Sequence, residues 1–201
     1  MSLSEMKRQA RELLKGKWNR FAMIYFVYLV LYCMIIALDY VVANSGTIGA
    51  MFFVGQFALS FAYLSLKVYH SEEIDLDGLF YGFKFYFKAL WTNILMGIYI
   101  VLWCLLLIIP GIIAAYSYSM TFFVLADNPE LSAGEAISMS KRLMKGHKWE
   151  FFSLTASFLG WALLSVFTLG IGLLWVIPYM STSTAVFYNE IKQYSENQTM
   201  N

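Results

Sequence analysis

Polar side chains within long apolar stretches are the residues of this sequence best placed to do chemistry. Asp39 is the only acidic residue in such a stretch, and an ionisable group there is costly and often functional. Two runs of hydroxyl residues could line a polar path between packed helices. They comprise Tyr116, Ser117, Ser119 and Thr121 in one run, and Ser181, Thr182, Ser183 and Thr184 in the other.

Each of these features also has a purely structural interpretation. Asp39 falls within about one helical turn of the end of its stretch, where the carboxylate would simply reach water. Small hydroxyl residues commonly serve helix packing. We expect Pro178, which precedes the second run, to break its helix and free a backbone carbonyl. The sequence leaves open whether these residues form a site.

Patterns typical of catalysis and metal binding do not occur in the sequence. The two histidines, His70 and His147, do not lie in a His-Glu-x-x-His spacing, and there is no phosphate-binding glycine loop. Cys33 and Cys104 lie in apolar stretches and are interpreted as small apolar residues. We therefore expect a non-enzymatic protein without metal, cofactor or nucleic-acid partner.

The composition of the chain predicts which secondary-structure elements carry these residues. Charged residues make up 13% of the 201 residues and hydrophobic residues 60%, whereas soluble domains usually carry about twice that charged fraction. Residues 40–66, 89–126 and 151–189 contain no charged side chain. A helix needs roughly 20 apolar residues to cross a bilayer, so the two longest runs can each hold a pair of spans. The sequence therefore predicts an all-α membrane protein.

Turn signals divide the apolar runs into six transmembrane helices. Pro110 and Gly111 are predicted to break the helix and form a hairpin, because proline lacks the N–H and glycine permits a tight reversal. A polar segment at 43–47 and a glycine-containing segment at 168–172 are predicted to form the other two hairpin turns. The predicted spans are residues 21–42, 48–68, 90–109, 112–126, 151–168 and 171–189.

Basic residues indicate the orientation. None of the 14 Lys and Arg residues falls in a hairpin turn, so six spans place all of them on one side of the membrane. Because basic segments stay on the cytoplasmic side, both termini are predicted to be cytoplasmic. One basic cluster could also bind anionic lipid headgroups at about 1 kcal/mol per residue, although topology alone explains it. It comprises Lys141, Arg142, Lys145 and Lys148.

The segments between hairpins follow a threefold plan. Residues 2–5 and 132–135 both read Ser-x-x-Glu, a capping box that begins a helix, and Gly16 and Gly146 end the two segments. A looser third segment begins at Asp75. Their apolar stripes predict amphipathic helices along the inner membrane surface. The predicted fold is a six-transmembrane helix bundle built as three units, each an interfacial amphipathic helix plus a transmembrane hairpin.

The expected boundaries follow from this plan. Residues 1–201 form a single membrane domain, divided into interfacial helix 1–19, hairpin 20–70, interfacial segment 71–88, hairpin 89–126, interfacial helix 127–149, hairpin 150–190 and cytoplasmic tail 191–201.

Several short motifs carry a family resemblance over nearly the whole chain. They include residues 10–16 with Trp18, Ile109-Pro-Gly-Ile-Ile113, Asp127-Asn-Pro129, residues 143–146 and Thr168-Leu-Gly-Ile-Gly172. In these motifs the sequence resembles the bacterial integral membrane family catalogued as domain of unknown function 975. The resemblance implies a multi-pass protein in the cytoplasmic membrane of a bacterium and implies no particular activity.

Three functional hypotheses follow. The first is a protein that binds membrane lipids, an amphiphilic peptide or a membrane-protein partner in envelope function or membrane-stress tolerance. The second is a small transporter or channel subunit, with Asp39 and the two hydroxyl runs along its path. The third is a membrane-bound enzyme acting on lipid headgroups through converging side chains such as Asp127, Glu135 and His147. The oligomeric state stays open.

Overall fold

The computed structural model describes residues 2–43, 48–168 and 170–200, and the regular secondary structure of these residues is helical throughout. A short 3-10 helix, Leu76–Phe80, lies between the third and fourth α-helices. The α-helices are α1 (Leu3–Leu13), α2 (Trp18–Ala43), α3 (Ile48–Tyr69), α4 (Tyr81–Lys84), α5 (Tyr86–Leu106), α6 (Ile108–Tyr118), α7 (Thr121–Asp127), α8 (Ala133–Leu143), α9 (Lys148–Ala156), α10 (Leu159–Phe167) and α11 (Leu173–Met200).

Four helical segments within the described residues are long and apolar enough to cross a membrane. They are Trp18–Val42, Gly49–Tyr69, Tyr86–Leu106 and Ile108–Asp127, which correspond to the first four predicted spans. The expected polar turn between the first two lies, at residues 44–47, outside the described residues. The prediction of an all-α fold is therefore confirmed for the described residues, and four apolar helical segments support the prediction of membrane association.

The fifth and sixth predicted spans do not form uninterrupted apolar helices. The fifth is divided into α9 and α10 by a turn at Ser157 and Phe158. Most of the sixth predicted span is part of α11. The hydroxyl run and the polar C-terminal half of this helix lower its mean hydropathy. Pro178 does not break α11, contrary to our expectation, and the helix continues through it to Met200. Residues 191–200, expected to be a separate tail, are thus the last turns of α11.

The second hairpin turns earlier than Pro110 and Gly111 predict. Leu107 alone interrupts the helix, in an extended conformation with φ −163° and ψ 146°. Pro110 lies in the first turn of α6, where its missing N–H has no intrahelical partner to lose. Gly111 serves close packing instead, because a Cβ there would stand 2.1 Å from Sγ of Cys104.

The capping boxes are confirmed. In both α1 and α8 the serine N-cap accepts the backbone N–H of the glutamate three residues on, and the glutamate carboxylate accepts the serine N–H. The turns after these helices contain Gly16 and Gly146, with φ of 77° and 91°. Asp75 caps the short 3-10 helix of the middle segment through the N–H of Gly78.

The apolar faces of α1 and α8 are covered by protein rather than left free for the membrane surface. Met6 and Ala10 of α1 and Leu14, its C-cap, are buried, and α1 packs against α11. Ile137 and Leu143 of α8 are also buried, and α8 packs against α5, α6 and α7. Close packing against other helices gives these side chains more contacts than a fluid interface does. The two amphipathic helices are thereby fixed parts of the bundle.

The centre of the bundle is formed by α3, α7 and α11. α3 packs against α2, α5, α7 and α11, and α11 also contacts α1 and α2. Their buried side chains include Leu59, Val124 and Phe187, in one hydrophobic core. α10 contacts α11 only through a limited surface, which leaves space between these two helices and α1.

Candidate functional site

A cleft of about 490 Å³ lies between α1, the start of α2, α10 and α11. Its volume is within the range of roughly 300–1,000 Å³ typical of small-molecule sites. We call it the α1 cleft. It is lined by Lys7, Arg11, Trp18, Trp161, Leu164, Ser165, Thr168, Gly172, Trp175, Val176 and Tyr179.

The long walls of the cleft are two helix faces that meet at a turn. The wall residues fall at 161, 164, 165 and 168 on the α10 side and at 172, 175, 176 and 179 on the α11 side. Both sets follow the i, i+3, i+4, i+7 spacing of one helix face. Each wall is about 10 Å long at 1.5 Å per residue.

The walls are apolar in character although they include two hydroxyl residues. Ser165 donates to the carbonyl of Trp161 at 2.9 Å, and Thr168 donates to the carbonyl of Ser165 at 2.9 Å. Thr168 Oγ1 also accepts the N–H of Gly172 at 3.0 Å. Both hydroxyls are therefore already hydrogen-bonded to backbone groups of the cleft walls. Leu164 remains exposed, so the cleft is open along one side.

The opposite end of the cleft carries two cations from one face of α1. Lys7 is half-buried, its Nζ lies 4.6 Å from the centre of the Phe158 ring, and it reaches the carbonyl of Ser157 at 3.4 Å. Burial lowers the pKa of Lys7, and the neighbouring Arg11 lowers it further. Within the described part of the chain, no carboxylate forms an ion pair with either cation. Among these residues, neither cation is thus neutralised by a direct ion pair.

Tyr179 joins α1 to the cleft. Its hydroxyl donates to the backbone carbonyl of Lys7 at 3.1 Å. Its ring lies 5.0 Å from the Phe158 ring and 5.9 Å from the Trp18 ring, between ring centres. Because the hydrogen bond is to the backbone, α1 is held in place independently of the Lys7 side chain.

This arrangement has the two parts needed to hold an amphiphile. Cations at one end attract an anionic head, and the apolar walls accept a hydrocarbon tail. A cationic ligand would meet uncompensated charge of its own sign at Lys7 and Arg11. The cleft is therefore suited to anionic amphiphiles.

Comparison with known proteins gives a family but no activity. A family model described as a protein of unknown function, DUF975, matches residues 1–115 and 104–195. The chain belongs to the DUF975 family. No curated protein and no solved structure matches it. The resemblance expected from the motifs is confirmed, and the function of this DUF975 chain must be argued from its own geometry.

Asp39 takes part in the first hairpin of the DUF975 chain. Its Oδ2 accepts the backbone N–H of Gly49 at 3.1 Å, in the first turn of α3. A carboxylate at a helix N-terminus satisfies a free amide and meets the positive end of the helix dipole. This contact accounts for an acidic residue at the end of an apolar helix.

Asp39 lies far from the hydroxyl run of α11. Ser181 contacts α3 at Ser65, with 2.5 Å between the two Oγ atoms. Ser65 is 16 residues beyond Gly49 along α3, which is about 24 Å. The transporter hypothesis needs Asp39 beside the hydroxyl runs, and the structure separates it from the run on α11.

The serine and threonine hydroxyls of the first run donate to backbone carbonyls three or four residues earlier in the chain. Ser117 Oγ donates to the carbonyl of Ile113 at 2.7 Å, and Thr121 Oγ1 to that of Tyr118 at 2.7 Å. Ser119 Oγ donates to the carbonyl of Tyr116 at 2.8 Å, at the break between α6 and α7. These contacts favour the packing interpretation.

The hydroxyls of the second run differ from one another in burial and in hydrogen bonding. Thr184 is half-buried, and its hydroxyl donates to the carbonyl of Met180 at 2.9 Å. Thr182 and Ser183 are fully buried, and neither hydroxyl has a hydrogen-bond partner among the described residues. They form a small polar patch on α11, one turn after Pro178 and outside the lining of the α1 cleft.

The basic cluster lies on the outer face of α8 and the turn that follows it. Lys141, Arg142 and Lys145 are exposed and Lys148 is half-exposed. The opposite face of α8 packs on the bundle. These four cations remain available to a membrane surface but line no cavity described in the structure.

The three residues of the enzyme hypothesis are engaged in separate contacts. Asp127 Oδ2 accepts the hydroxyl of Tyr188 at 2.9 Å and pairs with the ammonium of Lys192. Glu135 belongs to the capping box of α8. His147 Nδ1 lies 2.9 Å from a carboxylate oxygen of Glu150. Asp127 thereby fastens α7 to α11 and has a structural role.

Sequence reasoning missed the α1 cleft. Two signals were present: the cations of α1 four residues apart, and the repeated i, i+3, i+4, i+7 spacing around the 168–172 turn. Both also fit an ordinary amphipathic helix and an ordinary hairpin. Only the docking of α1 onto α11 makes them one site.

Proposed function

We propose that this DUF975 protein is a non-enzymatic, multi-pass membrane protein that binds an anionic amphiphile in the α1 cleft. The observation that carries the proposal is the pair of cations at one end of an apolar cleft, Lys7 and Arg11, neither of which is ion-paired among the residues that the structure describes. A lipid held there would link the protein to envelope function or membrane-stress tolerance.

The proposal includes a membrane placement with six spans and cytoplasmic termini. In it, α9 with α10 forms the fifth span and α11 the sixth, so that all 14 Lys and Arg residues face the cytoplasm. Lys7 and Arg11 then lie at the end of the cleft nearer the cytoplasm, and Thr168 and Gly172 lie at the end nearer the outer side.

The charge of the cleft favours a lipid over an amphiphilic cationic peptide. A cationic peptide would add positive charge to Lys7 and Arg11, whereas an anionic lipid compensates it. In a bilayer the tail exchanges lipid neighbours for protein neighbours with little net hydrophobic gain. Selectivity must therefore come from the head.

Native mass spectrometry from lipid nanodiscs tests the proposal. The nanodiscs would contain lysophosphatidylglycerol and lysophosphatidylcholine with the same acyl chain, as anionic and zwitterionic probes in equal amounts. We expect one lysophosphatidylglycerol to remain bound to the released protein in preference to its zwitterionic counterpart, because only the anionic head compensates the two cations.

A charge-matched pair of variants locates the binding. Lys7→Gln with Arg11→Gln removes both cleft cations, whereas Arg8→Gln with Lys15→Gln removes two exposed cations of the same segment that do not line the cleft. The first variant should lose the retained lipid and the second should keep it. Equal retention by both variants, or no preference for the anionic probe, would overturn the proposal.

A further inference from the structure

If the proposed function holds, the charges around the α1 cleft also indicate which class of anionic headgroup it binds. Lys7 and Arg11 are the charged residues in its lining, and Tyr179 is the other titratable group there. Glu5 and Glu12 line two other hollows beside α1, one of which Arg11 also borders, and neither residue lines the cleft. A ligand head therefore faces two positive charges.

A phosphodiester or a carboxylate carries one negative charge and would leave one of these cations uncompensated. A phosphomonoester carries about −1.5 to −2 at pH 7, because its second pKa is about 6. Lys7 is partly withdrawn from water and is costly to leave uncompensated, and the second charge of a phosphomonoester lets the same head also pair with the exposed Arg11. Two charges on the head match two charges on the protein.

Hydrogen bonding favours the same head. The Lys7 ammonium offers three donors and the Arg11 guanidinium five. The hydroxyl of Tyr179 already donates to the Lys7 carbonyl. A phosphomonoester has three terminal oxygens to accept from these donors, whereas a phosphodiester has two.

We infer that the α1 cleft selects an acyl or alkyl phosphomonoester, an amphiphile whose head is a terminal phosphate and whose tail lies between α10 and α11. Lys7 and Arg11 bind the phosphate together. The Lys7 ammonium turns from the carbonyl of Ser157 and the ring of Phe158 toward the ligand head.

Competition between two lipids with the same acyl chain tests this inference. Lysophosphatidic acid is the phosphomonoester and lysophosphatidylglycerol the phosphodiester, and their relative retention on the full chain in nanodiscs is measured by native mass spectrometry. At pH 7.5 we expect lysophosphatidic acid to bind at least about 10-fold more tightly, since the second charge compensates the second cation. Equal affinity would overturn the inference while leaving the proposed function intact.

Acidification supplies an independent readout. Between pH 7.5 and pH 5 the preference should collapse, because the phosphomonoester loses its second charge near pH 6. Acid favours the protonated form of Lys7 and the neutral form of Tyr179, and a guanidinium group has no proton to gain. Protonation of the protein therefore strengthens anion binding and cannot produce this loss. A preference independent of pH would contradict a dianionic head.

Two further experiments test the role of Lys7 and the need for an acyl tail. Lys7→Gln alone should abolish the preference for lysophosphatidic acid, with Arg8→Gln as the matched control, and the backbone contact to Tyr179 keeps α1 docked in both. Displacement of the lipid by inorganic phosphate would show a phosphate site without a tail requirement and would overturn the inference. Binding of neither lysolipid would overturn the proposed function as well.

Discussion

The head and the walls of the α1 cleft should contribute very unequally to lipid affinity. The informative comparison is Lys7→Gln with Arg11→Gln, which alters the head end, against Leu164→Ala, which trims an exposed wall residue. Both changes leave the backbone contact between α1 and α11 in place. They therefore separate the two ends of the ligand.

The magnitudes follow from exposure. Arg11 is exposed and should contribute about 1 kcal/mol, the value for a basic residue near an anionic lipid surface. Lys7 is half-buried and should contribute about 1.5–2 kcal/mol, toward the range for a hydrogen bond to a charged group. At 1.4 kcal/mol per factor of ten, losing both weakens binding roughly 100-fold.

The wall substitution should matter much less. In a bilayer the tail gives up lipid contacts for protein contacts, so Leu164→Ala removes only dispersion contacts of about 0.1–0.2 kcal/mol each. We expect less than about a threefold change in affinity.

Quenching of Trp161 and Trp175 by a tail-brominated lysophosphatidylglycerol measures these affinities, because both indoles line the cleft. Arg8→Gln with Lys15→Gln serves as the charge-matched control. If Leu164→Ala weakens binding as much as the double cation variant does, the tail rather than the head determines recognition and the reasoning fails.

Three further predictions concern the bundle itself. Asp127→Ala should destabilise the protein by about 1–3 kcal/mol, since its ion pair with Lys192 is only partly exposed, and adding Lys192→Met should recover part of the loss in thermal unfolding. Gly82→Ala should be strongly destabilising in the same assay because its Cβ would stand 2.0 Å from a backbone oxygen of α3, whereas Gly134→Ala, with nothing within 4 Å, should be neutral or stabilising. Acid should loosen α8, because hydrogen bonds from the hydroxyl and then the backbone of its serine N-cap hold the pKa of Glu135 below 4.5. This contribution is complete above pH 4.5 and disappears as the pH falls through the lower folded value, which amide NMR signals of α8 would report.

Local signals predicted much of the fold. The capping boxes of α1 and α8 depend on residues within one turn, and a Ser-x-x-Glu frame determines them without help from distant parts of the chain. The first four spans follow from apolar length alone. Such features depend on residues that are close together in the sequence.

Features that depend on contacts between helices were not predictable in this way. Pro110 suggested the turn, but Leu107 makes it, because proline fits the first turn of a helix as well as a break. The sequence shows Asp39 as an acid in an apolar stretch, and only the folded hairpin places its carboxylate beside the N–H of Gly49. The α1 cleft requires Tyr179 to meet the Lys7 carbonyl across 172 residues of chain.

The most direct test of the account is to map where a photoreactive lysophosphatidic acid, with a diazirine in its acyl chain, attaches to the protein in nanodiscs. We predict adducts concentrated on α10 and the first half of α11, around Leu164 and Trp175, and lost in Lys7→Gln with Arg11→Gln. Adducts spread over the exposed apolar surfaces of α2 and α5, and unaffected by removal of the two cations, would contradict a lipid site in the α1 cleft.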